Sequence, residues 1–517
     1  MLIRKLLLLL VGYTMLTNVS LQNYNVLLIV VDDLRPALGI YDGANAYTPN
    51  IDNLAQKSFV FKNAFCQQAR CAPSRTSFLT SRRPDTLHLY DSNSYWRDTV
   101  GDFTTLPQYF RINDYFTHSI GKIFKSGISS NFNDDSEYSW SRAPFHPTSE
   151  MFEHAKVCLT RDGSLAHNLI CPVLVKEQPM GVLPDLESLN AALEFIRRSD
   201  EITNGLPYFL AVGFSKPHVP FRFPIKYLKE HPLSSIKLPT VRWRPPSLPN
   251  IAWSSWSDIR SFDDIKALNV TSSCNGISDY VLKEIIQAYS SSVTYIDEII
   301  GRLLAKIKED TIIVLLGDNG FSLGEHGEFS KYSNFDVTTR VPLIIHLPKL
   351  LHQTMVVEEL VELVDLFPTL VELVGISPIL QKCNIDGTNS QLCTEGVSLV
   401  PLMMSKMQPT MEFCPKSAAF SQYPKTLKPP DFFNSDTPAL NDIKIMGYSI
   451  RTKSHRYTEW VEFDSRTCMP NWDHVYDREL YDHCIDPHEN FNIADREDMG
   501  EVMEMLRQKL VLGWRYA

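Results

Sequence analysis

The sequence predicts an α/β fold: one large, mostly parallel sheet flanked by helices, followed by a smaller C-terminal α+β subdomain. Three observations carry this prediction. Continuous apolar runs at Asn25–Val31 (NVLLIVV), Tyr208–Phe214 (YFLAVGF) and Thr311–Leu316 (TIIVLL) have the length and composition of strands buried on both faces. Helical patterns over Asp185–Arg198 and Tyr280–Ile307 lie between them, and alternating strands and helices favour a parallel sheet. Beyond Leu402 the character changes: 443–452 (IKIMGYSIRT) and 456–462 (RYTEWVE) read as a hairpin turning at Lys453-Ser454. The expected units are a catalytic domain over 24–408 and a subdomain over 412–517. With 517 residues, 44% of them hydrophobic, the chain can bury a large core, and 21% charged residues exclude a disordered class.

At the N-terminus, a basic start (Met1 to Lys5) precedes an apolar stretch from Leu6 to about Leu16, which predicts a signal peptide over residues 1–20. The stretch falls short of the roughly 20 residues of a membrane span; a signal anchor is the alternative. No later segment is apolar for long enough to span, so a lumenal or extracellular chain without a membrane span is expected. Ten cysteines fit an oxidising compartment. Cys158/Cys171 and Cys383/Cys393 look like small disulfide loops. Cys66, Cys274, Cys414, Cys468 and Cys484 are unassigned, and a Cys468–Cys484 bridge is a guess. Asn269-Val270-Thr271 is a glycosylation sequon. No nucleic-acid partner is expected.

Cys71-Ala72-Pro73-Ser74-Arg75 is the most specific short motif. In isolation a cysteine here is a disulfide partner or a buried thiol, and Cys66 lies close. Yet Cys-x-Pro-Ser-Arg is the core signal for oxidising the cysteine to formylglycine in sulfatases, and Thr76–Arg83 (TSFLTSRR) resembles the rest of that signature. Pro73 and Ser74 suit the first turn of a helix, where free amides and the helix dipole favour an anion such as sulfate. An aldehyde hydrate has two hydroxyls: one to attack sulfur, the other to expel sulfate afterwards.

Strand ends supply the remaining candidates. Asp32 and Asp33 close the first apolar run, and Asp318 and Asn319 close a later one; helix caps and an Asn-Gly turn are the plain structural readings. Together they suggest an oxygen-only cage for a hard cation, calcium or magnesium rather than zinc. Arg75, Lys122, His218 and Lys331 complete the site. Lys122 follows a short strand, Phe116–Ile120. His218 sits in Lys216-Pro217-His218, and Lys331 follows Gly324-Glu325-His326-Gly327.

From Asn25 to Ala494 the chain resembles the sulfatase family, in particular the members that act on 2-O-sulfated iduronate. The motifs include Ser94-Tyr95-Trp96-Arg97, Gly127 to Asn131, Lys216 to Arg222 and Lys331 to Asp336. The resemblance implies an alkaline-phosphatase-like fold and calcium held by Asp32, Asp33, Cys71 (as formylglycine), Asp318 and Asn319. It implies that Arg75 holds the formylglycine, Lys122 and Lys331 clamp the sulfate, and His218 protonates the leaving alcohol. It further implies a lysosomal enzyme for non-reducing-end iduronate 2-sulfate in heparan and dermatan sulfate, matured by the formylglycine-generating enzyme. The alternatives are a sulfatase for another glycan or a small sulfate ester, a phosphodiesterase of the same fold, and an inactive glycan-binding protein. Asn319 and Lys125 stand where those relatives carry histidine. Acid pH should favour activity, because protonated histidines offset the net charge of −10 and a protonated His218 can act as general acid.

Overall fold

The computed structural model describes residues 24–160, 162–270, 277–384, 391–408, 410–429 and 435–516. The expected signal peptide, Thr271 of the sequon and Cys274 lie outside the described residues. The main sheet contains β1 (Asn25–Val31), β2 (Phe59–Phe65), β3 (Phe116–Gly121), β4 (Tyr208–Phe214), β5 (Thr311–Gly317), β6 (Arg340–His346) and β7 (Met355–Glu362). Its order is β7-β2-β6-β5-β1-β4-β3. Pairings of β1 with β4 and β5, of β3 with β4, and of β7 with β2 are parallel, whereas β6 runs antiparallel to both β2 and β5.

Side-chain alternation along these strands builds two cores. β1 sends Leu27, Ile29 and Val31 to one face and Val26, Leu28 and Val30 to the other, and all six are fully buried. Burial on both faces is why the sequence reads as an unbroken apolar run. Each such side chain contributes about 1.5–3 kcal/mol. Helices α2 (Pro184–Arg197) and α3 (Asp279–Leu304) cover the first face through Leu189, Phe195, Ile285 and Ile296. Proline opens α2, where its missing N–H costs nothing, and the Ser278 side chain caps α3 by accepting from the Val281 amide. α1 (Cys71–Thr80) packs Phe78 and Leu79 on the opposite face. No helix among the described residues is long and apolar enough to cross a membrane.

The expected hairpin is present as β9 (Ile445–Thr452) and β10 (His455–Asp464). With β8 (Ala418–Lys425) and β11 (Met469–Asp482) it forms a four-stranded antiparallel sheet in chain order. Its core includes Leu506 and Leu510 of α4 (Gly500–Leu512). The sheet and the segment that follows it grip the Lys331 loop. Asn334 donates to the Gly447 carbonyl at 2.9 Å, Asp336 pairs with Arg451 at 3.1 Å, and the Asp336 amide donates to Glu489 at 2.8 Å. Glu489 also takes the buried Arg456 at 2.6 Å, so the charges at this seam are paired.

Disulfides join Cys158 to Cys171 and Cys383 to Cys393, as their spacing suggests. The Cys468–Cys484 guess fails: both thiols are free, Cys468 buried in the subdomain core and Cys484 exposed at the surface.

Candidate active site

Parallel register assembles the site. Val31 pairs with Gly317, so the residues that follow, Asp32-Asp33 and Asp318-Asn319, emerge side by side at the carboxyl edge of the sheet. Gly317 permits this approach: a Cβ there would stand 2.4 Å from the Leu34 carbonyl oxygen. Gly121 pairs with Gly213 at the ends of β3 and β4, and Lys122 turns off that pair toward Asp32. Cys71 is the first residue of α1, whose N-terminus faces the same edge.

All nine residues expected at the site converge. Cys71 Sγ donates to Asp32 Oδ1 at 3.2 Å, with Lys331 Nζ 3.1 Å and Lys122 Nζ 3.9 Å from the sulfur. Lys122 pairs with Asp32 and Lys331 with Asp33. Arg75 is wholly buried and bridges the strand ends: Nη2 lies 3.0 Å from Asp32 Oδ1 and Nε lies 2.8 Å from Asp318 Oδ2. Its Nη1 donates to the carbonyls of Lys122 and Ile123, which fastens the loop carrying Lys122. Asp318 Oδ1 accepts from the amides of Asp33 and Asn319, each at 2.9 Å. His218 donates through Nδ1 to the Val219 carbonyl at 2.7 Å, which leaves Nε2 facing Asp33 Oδ2 at 3.9 Å.

Charge and burial set the protonation states. Burial works against ionised Asp32, but Lys122 and Arg75 outweigh it and hold the carboxyl well below its ordinary range. Burial, reinforced by Asp32, pushes the Cys71 thiol up to about 12, so the thiol itself is not a thiolate nucleophile. Burial and the adjoining Lys122 hold His218 well below the usual histidine range. Burial first, and then the facing lysines, therefore favour the neutral imidazole at His218.

The site fits a hard divalent cation. Oxygens of Asp32, Asp33 and Asp318 lie within 4.8 Å of one another, all buried. Asp33 Oδ2 and Asn319 Oδ1 are buried with no hydrogen-bond partner. Asn319 explains its own orphan, since Nδ2 is spent on Asp33 Oδ1 at 2.7 Å and on the Gly320 carbonyl at 2.9 Å. Unpaired buried oxygens are costly, and an oxygen-only donor set suits calcium or magnesium.

A cavity of about 310 Å³ opens beside Asp32, Lys122 and His218. Its wall includes residues that sequence reasoning did not assign: Glu150, Glu153, Asp185, Lys216 and Arg222. Lys216 had a signal, being part of the Lys-Pro-His motif. Its Nζ donates to the carbonyls of His218 and Pro220, so it shapes the loop that presents His218. Glu150 had none; it stands in a single 3-10 turn, Thr148–Phe152, too short to show a periodicity.

The chain belongs to the sulfatase family, whose model matches residues 24–376, and it is a sulfuric ester hydrolase with the family's alkaline-phosphatase-like fold. Within that family it is 44% identical to mouse (Mus musculus) iduronate 2-sulfatase over 95% of this chain and 94% of that protein. Its identity to the human (Homo sapiens) iduronate 2-sulfatase is 43%, with the same coverage. Among solved structures, a complex described as binding its substrate D-glucosamine-2-N,6-O-disulfate superposes with a TM-score of 0.66 at 20% identity, covering 95% of this chain and 97% of that one. The phosphonate monoester hydrolase of Agrobacterium radiobacter superposes with a TM-score of 0.67 at 21% identity, covering 95% of each chain.

Proposed function

We propose that this enzyme hydrolyses the 2-O-sulfate of non-reducing-end iduronate in heparan sulfate and dermatan sulfate, in the lysosome. It would use a formylglycine made from Cys71 by the formylglycine-generating enzyme, and calcium held by Asp32, Asp33, Asp318, Asn319 and residue 71. The observation that carries this reading is the 44% identity to an iduronate 2-sulfatase over nearly the whole of both chains. The placement of Cys71 between Lys122 and Lys331 at a helix N-terminus supports it.

The chemistry of the chain's own residues then follows. Cys71 Sγ stands for the hydrate oxygens of the formylglycine, which would supply one hydroxyl to attack sulfur and another to expel sulfate. A bound calcium would supply positive charge for the ester oxygens and lower the proton affinity of a nearby hydroxyl. Arg75 fixes Asp32 and Asp318 and the Lys122 loop, so the reacting groups keep one geometry. Lys122 and Lys331 flank the sulfur position and would bind the sulfate ester from two sides. The arriving sulfate offsets those lysines, which restores proton affinity to His218. With Nδ1 held by the Val219 carbonyl, the proton taken up sits on Nε2, ready for the leaving alcohol.

Turnover of a 2-sulfated iduronate disaccharide, compared with a 6-sulfated glucosamine substrate, tests the proposal. It requires a strong preference for the first. Preference for the second, or for small aryl sulfates alone, refutes it.

A further inference from the structure

We propose that Lys125 binds the carboxylate of the sulfated uronic acid, and so selects uronate substrates over sugars lacking that second anion; this rests on the function proposed above. Four lysine and arginine side chains line the 310 Å³ cavity: Lys122, Lys125, Lys216 and Arg222. Three are committed. Lys122 pairs with Asp32, Lys216 donates to two carbonyls of its own loop, and Arg222 donates to the carbonyls of Phe152 and Glu153 at 3.0 Å each. Among the described residues Lys125 makes no ion pair, and its Nζ reaches the carbonyl of the neighbouring Ser126 at 3.4 Å.

The backbone beneath it is fixed even though the ammonium is not. Ser129 and Ser130 hydroxyls donate to the Lys125 carbonyl at 3.3 and 2.9 Å, so the loop presents the side chain from a set position. Lys125 also differs from the sulfate clamp. Lys122 and Lys331 contact Cys71 Sγ, whereas Lys125 does not, although it lies three residues from Lys122 in the chain and on the same cavity. The sulfate position thus has its two cations, and among the described residues Lys125 is the lysine on this cavity left without an ion pair or a fixed role. A 2-sulfated uronate carries two anions on one ring, and the second needs such a partner. An ammonium–carboxylate hydrogen bond in a concave, partly desolvated site is strong and position-specific.

The test compares wild type, Lys125→Met and Lys125→Arg on a 2-sulfated iduronate disaccharide and on its carboxyl-reduced counterpart, in which the carboxylate is a primary alcohol. Wild type should prefer the uronate. In Lys125→Met the ratio of the two kcat/KM values should fall about 10- to 100-fold, chiefly through KM of the uronate. Lys125→Arg should keep most of the preference. Equal losses on both substrates would place Lys125 on the sulfate or the nucleophile and overturn the inference, as would an unchanged ratio. Wild type that cleaves aryl sulfate but neither disaccharide would instead sink the proposed function, and the inference with it.

Discussion

Gly213→Ala should cripple catalysis without touching a reacting group. A Cβ at this position would stand 2.0 Å from the Lys122 carbonyl oxygen and 2.3 Å from its carbon, where real Cβ contacts stay beyond 3.0 Å. Both obstacles are backbone, so no rotamer relieves them, and Lys122 must retreat by about 1 Å. That carbonyl also receives Arg75, so the shift disturbs the bridge between Asp32 and Asp318 as well. A displacement of this size costs about 100-fold in kcat/KM, equivalent to about 2.7 kcal/mol of transition-state stabilisation. Overpacking should cost a further 1–3 kcal/mol or so of stability. Activity is measured on the disaccharide and on an aryl sulfate, normalised to the aldehyde content at residue 71, beside thermal melts. Gly500→Ala serves as control, because a Cβ there meets nothing within 4 Å. Wild-type kcat/KM in Gly213→Ala would refute the claim that the paired glycines set Lys122.

Asp318→Ala should abolish turnover while the chain stays folded, since it removes one carboxylate of the cage and the Arg75 partner. Full activity, or stoichiometric zinc by elemental analysis, would contradict the oxygen cage. Burial pushes Glu150 up to about 7 and Asp185 up to about 6, so both are neutral at pH 5 and anionic at pH 8. Ionised, they repel a sulfated substrate; kcat/KM should therefore fall from pH 5 to 8 with rising KM, and Glu150→Gln should weaken that fall. A pH profile identical to wild type in Glu150→Gln would count against it. Glu362 is buried, but Arg83 and Lys416 outweigh burial and hold its pKa at about 2. Such a depressed carboxylate stabilises the fold above its unfolded value near 4.5, and the contribution is lost as pH falls toward 2. Glu362→Gln should cost about 3 kcal/mol at pH 7 by denaturant unfolding. The gap to wild type should narrow as pH falls toward 2, and at pH 5 activity per folded molecule should match wild type.

Much of this molecule is legible in its residues. The two-faced burial of β1, β4 and β5 leaves unbroken apolar runs, and polar residues directly after them mark the carboxyl edge where the site forms. The Cys71 motif marks the helix N-terminus that meets this edge. The antiparallel direction of β6 is not legible, because a strand buried on both faces shows the same run whichever way it points. Contacts between distant segments escape for a related reason. Arg456 and Glu489 lie 33 residues apart with no period linking them, yet they help secure the seam beside the Lys331 loop. The state of His218 was also hidden, since burial and two facing lysines exist only once the strands are assembled. Lys125 shows the intermediate case. Its departure from histidine was visible, but its lack of an ion pair among the described residues was not.

The central claim is that Cys71 becomes the formylglycine that cleaves the sulfate ester. A mass spectrum of the peptide spanning Cys71 to Arg75, taken from enzyme purified in active form, tests this directly. The aldehyde should be present at residue 71 in proportion to specific activity across preparations, and Cys71→Ala should show neither aldehyde nor turnover. Fully active enzyme whose peptide carries only the unmodified thiol would contradict it.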